Sequence, residues 1–224
     1  PLSQVPMTPG ILGRSRWPAF LAWLGRFSPS NRDRLHSALL VAAAVAVGGI
    51  GWSGKVLTLP LALLFPVLWA SCGSRLVAAA VAAGYFLAAS RGLPQGVASF
   101  FGASVWAGIL LWLAGSLSFV LVHAVLWTPR SGRGRAIRYG IAAVLMAVPP
   151  FGIVGWAHPL TAAGVLFPGC GWWGLAATAA GLIAMTTRTW PAIALLTLVL
   201  WSWSAISWTP PTTPTNWIGA DTRL

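Results

Sequence analysis

The sequence predicts an all-α fold: a polytopic transmembrane helix bundle of about seven spans, with a short interfacial N-terminal helix and a re-entrant or shelf-like outer loop. Three observations predict it. The 224 residues are 57% hydrophobic and only 7% charged, where an ordinary soluble domain carries roughly a quarter charged residues. Mean hydropathy is +0.78, which excludes a disordered basic tail, because disorder requires low hydrophobicity. The 14 basic residues, all Arg except Lys55, stand in small groups between apolar runs, with only Asp33 and Asp221 to offset them. A net charge of +12 would suit nucleic acid if the cations formed one phosphate-tracking face. Scattered in this way they suit membrane topology instead, and no nucleic acid is expected as a partner.

The spans follow from apolar runs near the roughly 20 residues needed to cross a hydrocarbon core. The first is 36–54. The second is 56–72, stopped by Arg75, and the third 76–90, stopped by Arg91. The uncharged stretch 97–127 is too long for one upright helix, so a short interfacial or re-entrant piece at 93–102 is expected before a fourth span at 103–127. The fifth span is 139–157, the sixth 172–187 and the seventh 190–208. Residues 14–27 mix Arg with Trp, Phe and Leu and are too short to cross; an interfacial helix on anionic lipid is the natural reading. The chain thus divides into a cytoplasmic or interfacial segment 1–35, a transmembrane domain 36–208 and a periplasmic tail 209–224.

Arginine placement orients the bundle. With the N-terminus cytoplasmic, eleven basic residues lie inside and three (Lys55, Arg91, Arg223) outside, as the positive-inside rule asks. Seven spans then put the C-terminus in the periplasm of a bacterial inner membrane. Trp residues near span ends, such as Trp52, Trp127, Trp172 and Trp190, suit the headgroup layer. Small residues four apart, Ala80 with Gly84 and Ala177 with Gly181, allow close helix contact.

Reactive groups are few. No pair of carboxylates exists for acid–base work, and His36, His123 and His158 are too far apart in sequence for a metal site, so no metal, no cofactor and no catalytic residue are assigned. Gly51-Trp52-Ser53-Gly54 spells the GxSG of rhomboid-type proteases, with His123 as the candidate partner at membrane depth, but such short matches arise easily at helix ends. Cys72 and Cys170 fall on opposite sides and read as unpaired. The cytoplasmic loop 128–138 carries Arg130, Arg133, Arg135 and Arg138. It reads either as a topology signal or as a site for lipid phosphates or an acidic partner. Between spans five and six, prolines, glycines and aromatics make a loop that either anchors the bundle or lines a lipid-facing cavity. Its lining candidates are Pro150, Phe151, Gly152, Trp156, His158 and Phe167.

That segment, VPPFGIVGWAHPLTAAGVLFPGCGWWGL at 148–175, resembles the membrane domain of apolipoprotein N-acyltransferases, and more closely the conjugal transfer protein TraB family of rhizobial and agrobacterial plasmids. The resemblance implies an inner-membrane domain that anchors a periplasmic carbon–nitrogen hydrolase or acyltransferase domain and presents lipid to it. It also implies that this second domain, with the family's catalytic Glu, Lys and Cys, begins beyond residue 224 and is absent here, the chain being a fragment or a truncation. The chain alone would then not be an enzyme, while the full protein would be an acyltransferase. Expected partners are membrane phospholipid and components of a conjugation apparatus, lipoprotein or pilus; the sequence leaves the oligomeric state open. Two other classes stay open: a small-solute transporter or channel, and a non-enzymatic assembly factor of a conjugation apparatus.

Overall fold

A computed structural model describes residues 31–102, 104–149, 151 and 156–209. The interfacial helix expected at 14–27, the tail at 210–224, and Pro150 and Gly152 lie outside the described residues. The chain divides into two units, Pro1–His36 and Ser37–Leu224. In the first, residues 31–36 are helical and exposed, with Asp33 in the opening turn of a helix, where a carboxylate complements the helix dipole.

Among the described residues the fold is helical throughout. Helix α1, Asn31–Gly51, is rich in Ala, the strongest helix former, and buries Leu40, Ala44, Gly48 and Gly51, a stripe at near four-residue spacing. Residues Val56–Leu64 form a 3₁₀ segment with Pro60 inside it, followed by α2, Phe65–Ala70, which has proline in its first turn. Helix α3, Arg75–Ala89, starts where the Ser74 hydroxyl accepts from the Val77 amide at 3.3 Å. A bend at 90–92 separates it from α4, Leu93–Phe101, which ends at Gly102 in the left-handed conformation. Helix α5 is Val105–Leu126 and α6 is Arg133–Ala147. A 3₁₀ turn at Pro159–Ala162 leads into α7, Ala163–Leu166, then α8, Gly171–Ala184, and α9, Trp190–Ser207.

Glycines set the packing of α1 on α3. A side chain on Gly48 would run into the Tyr85 carbonyl, and one on Gly84 would meet Val45 at 3.0 Å and the Val41 carbonyl at 3.3 Å. The two backbones approach as closely as small-residue seams in membranes allow. Behind that seam lies an aromatic centre. Phe65 stacks on Tyr85 at 4.5 Å and meets the His123 ring edge-on at 5.1 Å, while Phe86 lies 5.3 Å from His123. Trp69 lies 5.5 Å from Tyr139. Polar groups are inside as well: Ser116, His123 and Thr178 are buried.

The outside is apolar. Leu110, Leu117, Leu121 and Val125 of α5, and Leu195, Leu198, Val199 and Ile206 of α9, all stand exposed. Only 6% of the apolar window of α9 is buried within the protein, so its leucines face outward along nearly the whole helix. A soluble protein does not display contiguous apolar surface on this scale.

Four segments are long and apolar enough to cross a membrane: Asn31–Gly51, Arg75–Phe101, Val105–Leu126 and Trp190–Ser207. The expectation of about seven is therefore corrected. The other three expected spans fold as stretches of 15, 15 and 14 residues, Val56–Ala70, Arg133–Ala147 and Gly171–Ala184. At about 1.5 Å per α-helical and 2.0 Å per 3₁₀ residue they reach some 21–27 Å, short of a core about 30 Å thick. Pro60 holds the first in 3₁₀ form, Arg133 to Arg138 occupy the start of the second, and turns at 185–189 shorten the third. The piece expected at 93–102 is a separate helix, α4, which together with α3 makes up the 27-residue segment Arg75–Phe101.

Candidate functional site

Chemistry-bearing residues gather at the two ends of the 37–224 unit. At one end lies the segment after α6. His158 Nδ1 accepts from the Leu160 amide at 3.0 Å, so the ring proton sits on Nε2, which donates to the Ala143 carbonyl at 3.0 Å. Both nitrogens are committed, and the ring pins the 3₁₀ turn to α6. Burial lowers the His158 pKa, partly offset by the Ala143 bond. Next to it, Ala157 has φ 64, a left-handed conformation unfavourable for a residue with a Cβ. Its carbonyl accepts from the Tyr85 hydroxyl at 3.3 Å, and that hydroxyl in turn accepts from Trp52 Nε1 at 3.1 Å. One tyrosine thus ties α1, α3 and the loop together.

Of the lining residues expected from sequence, Phe151, Trp156 and Phe167 are half-buried and pack against the core. Trp156 fills the space beside Gly115, where a Cβ would come within 2.5 Å of the indole. These residues wedge the loop into the bundle. A cavity of about 260 Å³ at this end is lined by others, among them Leu57, Val165, Pro168, Ser204 and Trp208. Beside it Trp201 Nε1 donates to the Leu57 carbonyl at 2.6 Å.

The Ser53–His123 pairing does not form. The Ser53 hydroxyl bonds that of Thr58 at 3.3 Å, at the exposed end of α1. His123 is enclosed among Phe65, Phe86, Trp69 and Tyr139, with Nδ1 2.8 Å from the Phe119 carbonyl. Trp69 Nε1 donates to the His123 carbonyl at 3.1 Å. This is a packed core position.

The opposite end is basic. Arg135 donates to the Ala70 carbonyl at 2.6 Å and to the Pro129 carbonyl at 3.1 Å. It thereby closes the C-terminus of α2, whose last carbonyls have no partner within the helix. Arg130, Arg133 and Arg138 are exposed, as are Arg75 and Arg188. A second cavity of about 260 Å³ opens here, bounded by Ser71, Ser131, Arg135, Thr186, Arg188 and Trp190. The Cys72 thiol is buried nearby, and that burial pushes its pKa up to about 12, the Arg135 charge offsetting part of the rise. Cys170, by contrast, is exposed. Among the described residues no group of three or more His, Cys, Asp or Glu could hold a metal ion.

Sequence reasoning missed Tyr85, Ala157 and Gly115. A signal for the first was present: the chain has only two tyrosines, Tyr85 and Tyr139, both inside apolar runs, where a phenol needs a hydrogen-bond partner.

Comparison with known proteins adds the following. A family model for carbon-nitrogen hydrolase matches residues 87–215. The chain is 58% identical over 218 residues to a conjugal transfer protein TraB of Agrobacterium fabrum, covering 93% of this chain and 52% of that protein. It is 60% identical over 194 residues to a probable conjugal transfer protein TraB of Sinorhizobium fredii, covering 87% and 50%. It is 51% identical over 126 residues to an uncharacterized protein outside the virF region of Agrobacterium tumefaciens, covering 53% and 84%. The chain spans about half the length of the two TraB relatives. No solved structure matches it.

The family match falls inside the chain and overturns two expectations: that the carbon-nitrogen hydrolase domain is absent, and that the chain is a separate membrane domain anchoring one. Those expectations took the lack of Glu as the lack of the domain, whereas the similarity lies in the apolar stretch itself. Its described residues are helices and turns, with no strand among them. Of Glu, Lys and Cys, that stretch holds only Cys170.

Proposed function

The chain belongs to the carbon-nitrogen hydrolase family, and on that premise we propose that it serves conjugal transfer from within a bacterial inner membrane. The observation that carries this reading is the apolar outer surface of the unit: leucines, valines and isoleucines stand exposed along α5, α6 and α9. Lipid is the solvent that such a surface suits. The printed names of two relatives at 58% and 60% identity supply the process.

Orientation follows from charge. In this reading the three shorter stretches, 56–70, 133–147 and 171–184, run between the two faces inside the bundle with the turns that adjoin them, so that Arg75, Arg130, Arg133, Arg135, Arg138 and Arg188 belong to the basic end, the cytoplasmic face. Lys55, Arg91 and the 156–170 loop belong to the other, periplasmic face. Arg91 there is tied down, donating to the Gly49 and Ala88 carbonyls at 2.9 Å. Exposed Trp172 and Trp173 beside Cys170 suit the headgroup layer. The role proposed is that of a membrane-embedded part of the transfer machinery.

The test is genetic and physical together. Deleting the gene in a donor strain should lower the conjugal transfer frequency, and returning it should restore transfer, with the protein staying in the pellet after alkaline carbonate extraction. Unchanged transfer, or release of the protein by carbonate, would overturn the reading.

A further inference from the structure

Beside the basic cavity runs a second, larger feature that neither the fold nor the comparisons assign. A groove of about 580 Å³ follows α6 and is walled by Ala136, Ile141, Val144, Leu145 and Ile183 of α8, with Arg133 at its mouth. From Arg133 to Leu145 the helix rises about 18 Å, close to the roughly 15 Å depth of one leaflet. Gly140 keeps the floor open and lets Ile183 pack close, since a Cβ there would stand 3.2 Å from the Ile183 side chain. The groove and the basic cavity share the start of α6 and the end of α8: Arg133 and Ala136 line one, Gly132 and Arg135 the other, as Ile183 and Met185 do on α8.

We infer that these two features form one site for an anionic phospholipid, its phosphate held at Arg133 and Arg188 and one acyl chain lying in the α6 groove. Donors at the cavity are few enough to identify. Ser71, Thr186 and Thr187 give their hydroxyl protons to carbonyls of their own turns, at 2.7 Å in each case. Arg135 gives one hydrogen from each terminal nitrogen to Ala70 and Pro129, and its buried Nε–H has no partner, so it contributes charge and is partly committed. The exposed guanidinium groups of Arg133 and Arg188, with the exposed Ser131 hydroxyl, are left to face a ligand. Charge balance points to an anion from outside the chain. Six arginines meet at this end, and the whole sequence holds only two carboxylate side chains, Asp33 and Asp221. An anion with an attached chain is what a cationic mouth over an apolar groove accepts. This inference rests on the membrane reading above.

The test uses the full-length protein in detergent and native mass spectrometry. Dioleoylphosphatidylglycerol, dioleoylphosphatidylcholine and inorganic phosphate are added separately. Phosphatidylglycerol should be retained in preference to phosphatidylcholine. In the Arg133→Gln/Arg188→Gln variant that preference should fall about thirtyfold, the order expected for two arginine contacts to an anionic headgroup. Arg133→Lys/Arg188→Lys should keep most of it. Val144→Trp, at an exposed groove position, should reduce retention of the lipid while leaving the arginines in place. Equal retention of the two lipids would overturn the inference. So would phosphate protecting the protein from thermal unfolding as well as phosphatidylglycerol does, since the ligand would then be a free anion. A protein that stays with the membrane in carbonate but shows no lipid preference would sink this inference alone and leave the membrane reading standing.

Discussion

His158 is held by a proton arrangement that acid disrupts. Its Nδ1 accepts from the Leu160 amide, so protonating that nitrogen breaks the bond and places a charge in a buried site. Its pKa in the folded protein is lowered, below the ordinary value of about 6.5. The folded state therefore resists a proton that the unfolded state takes up: the contribution is complete above about pH 6.5 and is lost as pH falls below it. Unfolding in detergent should show a lower midpoint at pH 5 than at pH 7.5, and His158→Gln should shrink the difference; an unchanged difference would count against this role. The cysteines should differ in the same direct way. At pH 7.5 a maleimide should modify exposed Cys170 readily and leave Cys72 almost untouched, because burial and a pKa of about 12 keep it a thiol. Tyr85 makes the third prediction. Tyr85→Phe removes the donor to Ala157 and the acceptor for Trp52, a loss of about 1–3 kcal/mol, measurable as a shift in the denaturation midpoint.

At the scale of elements, the seam between α1 and α3 is the contact most sensitive to volume. Gly84→Leu would force α1 away from α3, since Val45 and the Val41 carbonyl already stand where its Cβ would go. Overpacking of this kind costs about 1–3 kcal/mol, and the same substitution at Gly73, which has open space around it, should be tolerated by comparison. Gly84 was legible in the sequence as a small residue four positions after Ala80, although Ala80 itself is exposed. Gly48 was not, since its partner is a backbone 37 positions away. The separateness of α4 was legible from the length of the uncharged stretch 97–127, too great for one upright helix. The number of crossings was not. Hydropathy counts the residues of 148–157 and 185–187 with the helices they adjoin, while backbone geometry ends α6 at Ala147 and α8 at Ala184. Of the outer-loop candidates, sequence identified the apolar character of Phe151, Trp156 and Phe167, but whether such residues line a cavity or wedge into a core depends on neighbours such as Gly115 that periodicity does not reveal.

Across the whole molecule, charge and polarity carry the account. An apolar exterior, four helices long and apolar enough to cross a membrane, and arginines at one end support the proposal of a protein solvated by lipid and held in one orientation. Composition pointed to a membrane early, because a chain with only 7% charged residues suits water poorly. It misled on the family: the absence of glutamate drew attention to residues beyond 224, while the similarity to carbon-nitrogen hydrolases lies across the helices at 87–215. The central claim, a membrane-embedded unit with its arginine end in the cytoplasm, is tested most directly by single-cysteine labelling with a membrane-impermeant maleimide. With Cys72→Ala as background, native Cys170 reports the loop end, and Ser131→Cys in a Cys170→Ser chain reports the arginine end, both positions being exposed. In cells with a permeabilised outer membrane and an intact inner one, Cys170 should label and the cysteine at 131 should label only after the inner membrane is broken. Labelling at 131 before that point, or protection of Cys170, would contradict the account.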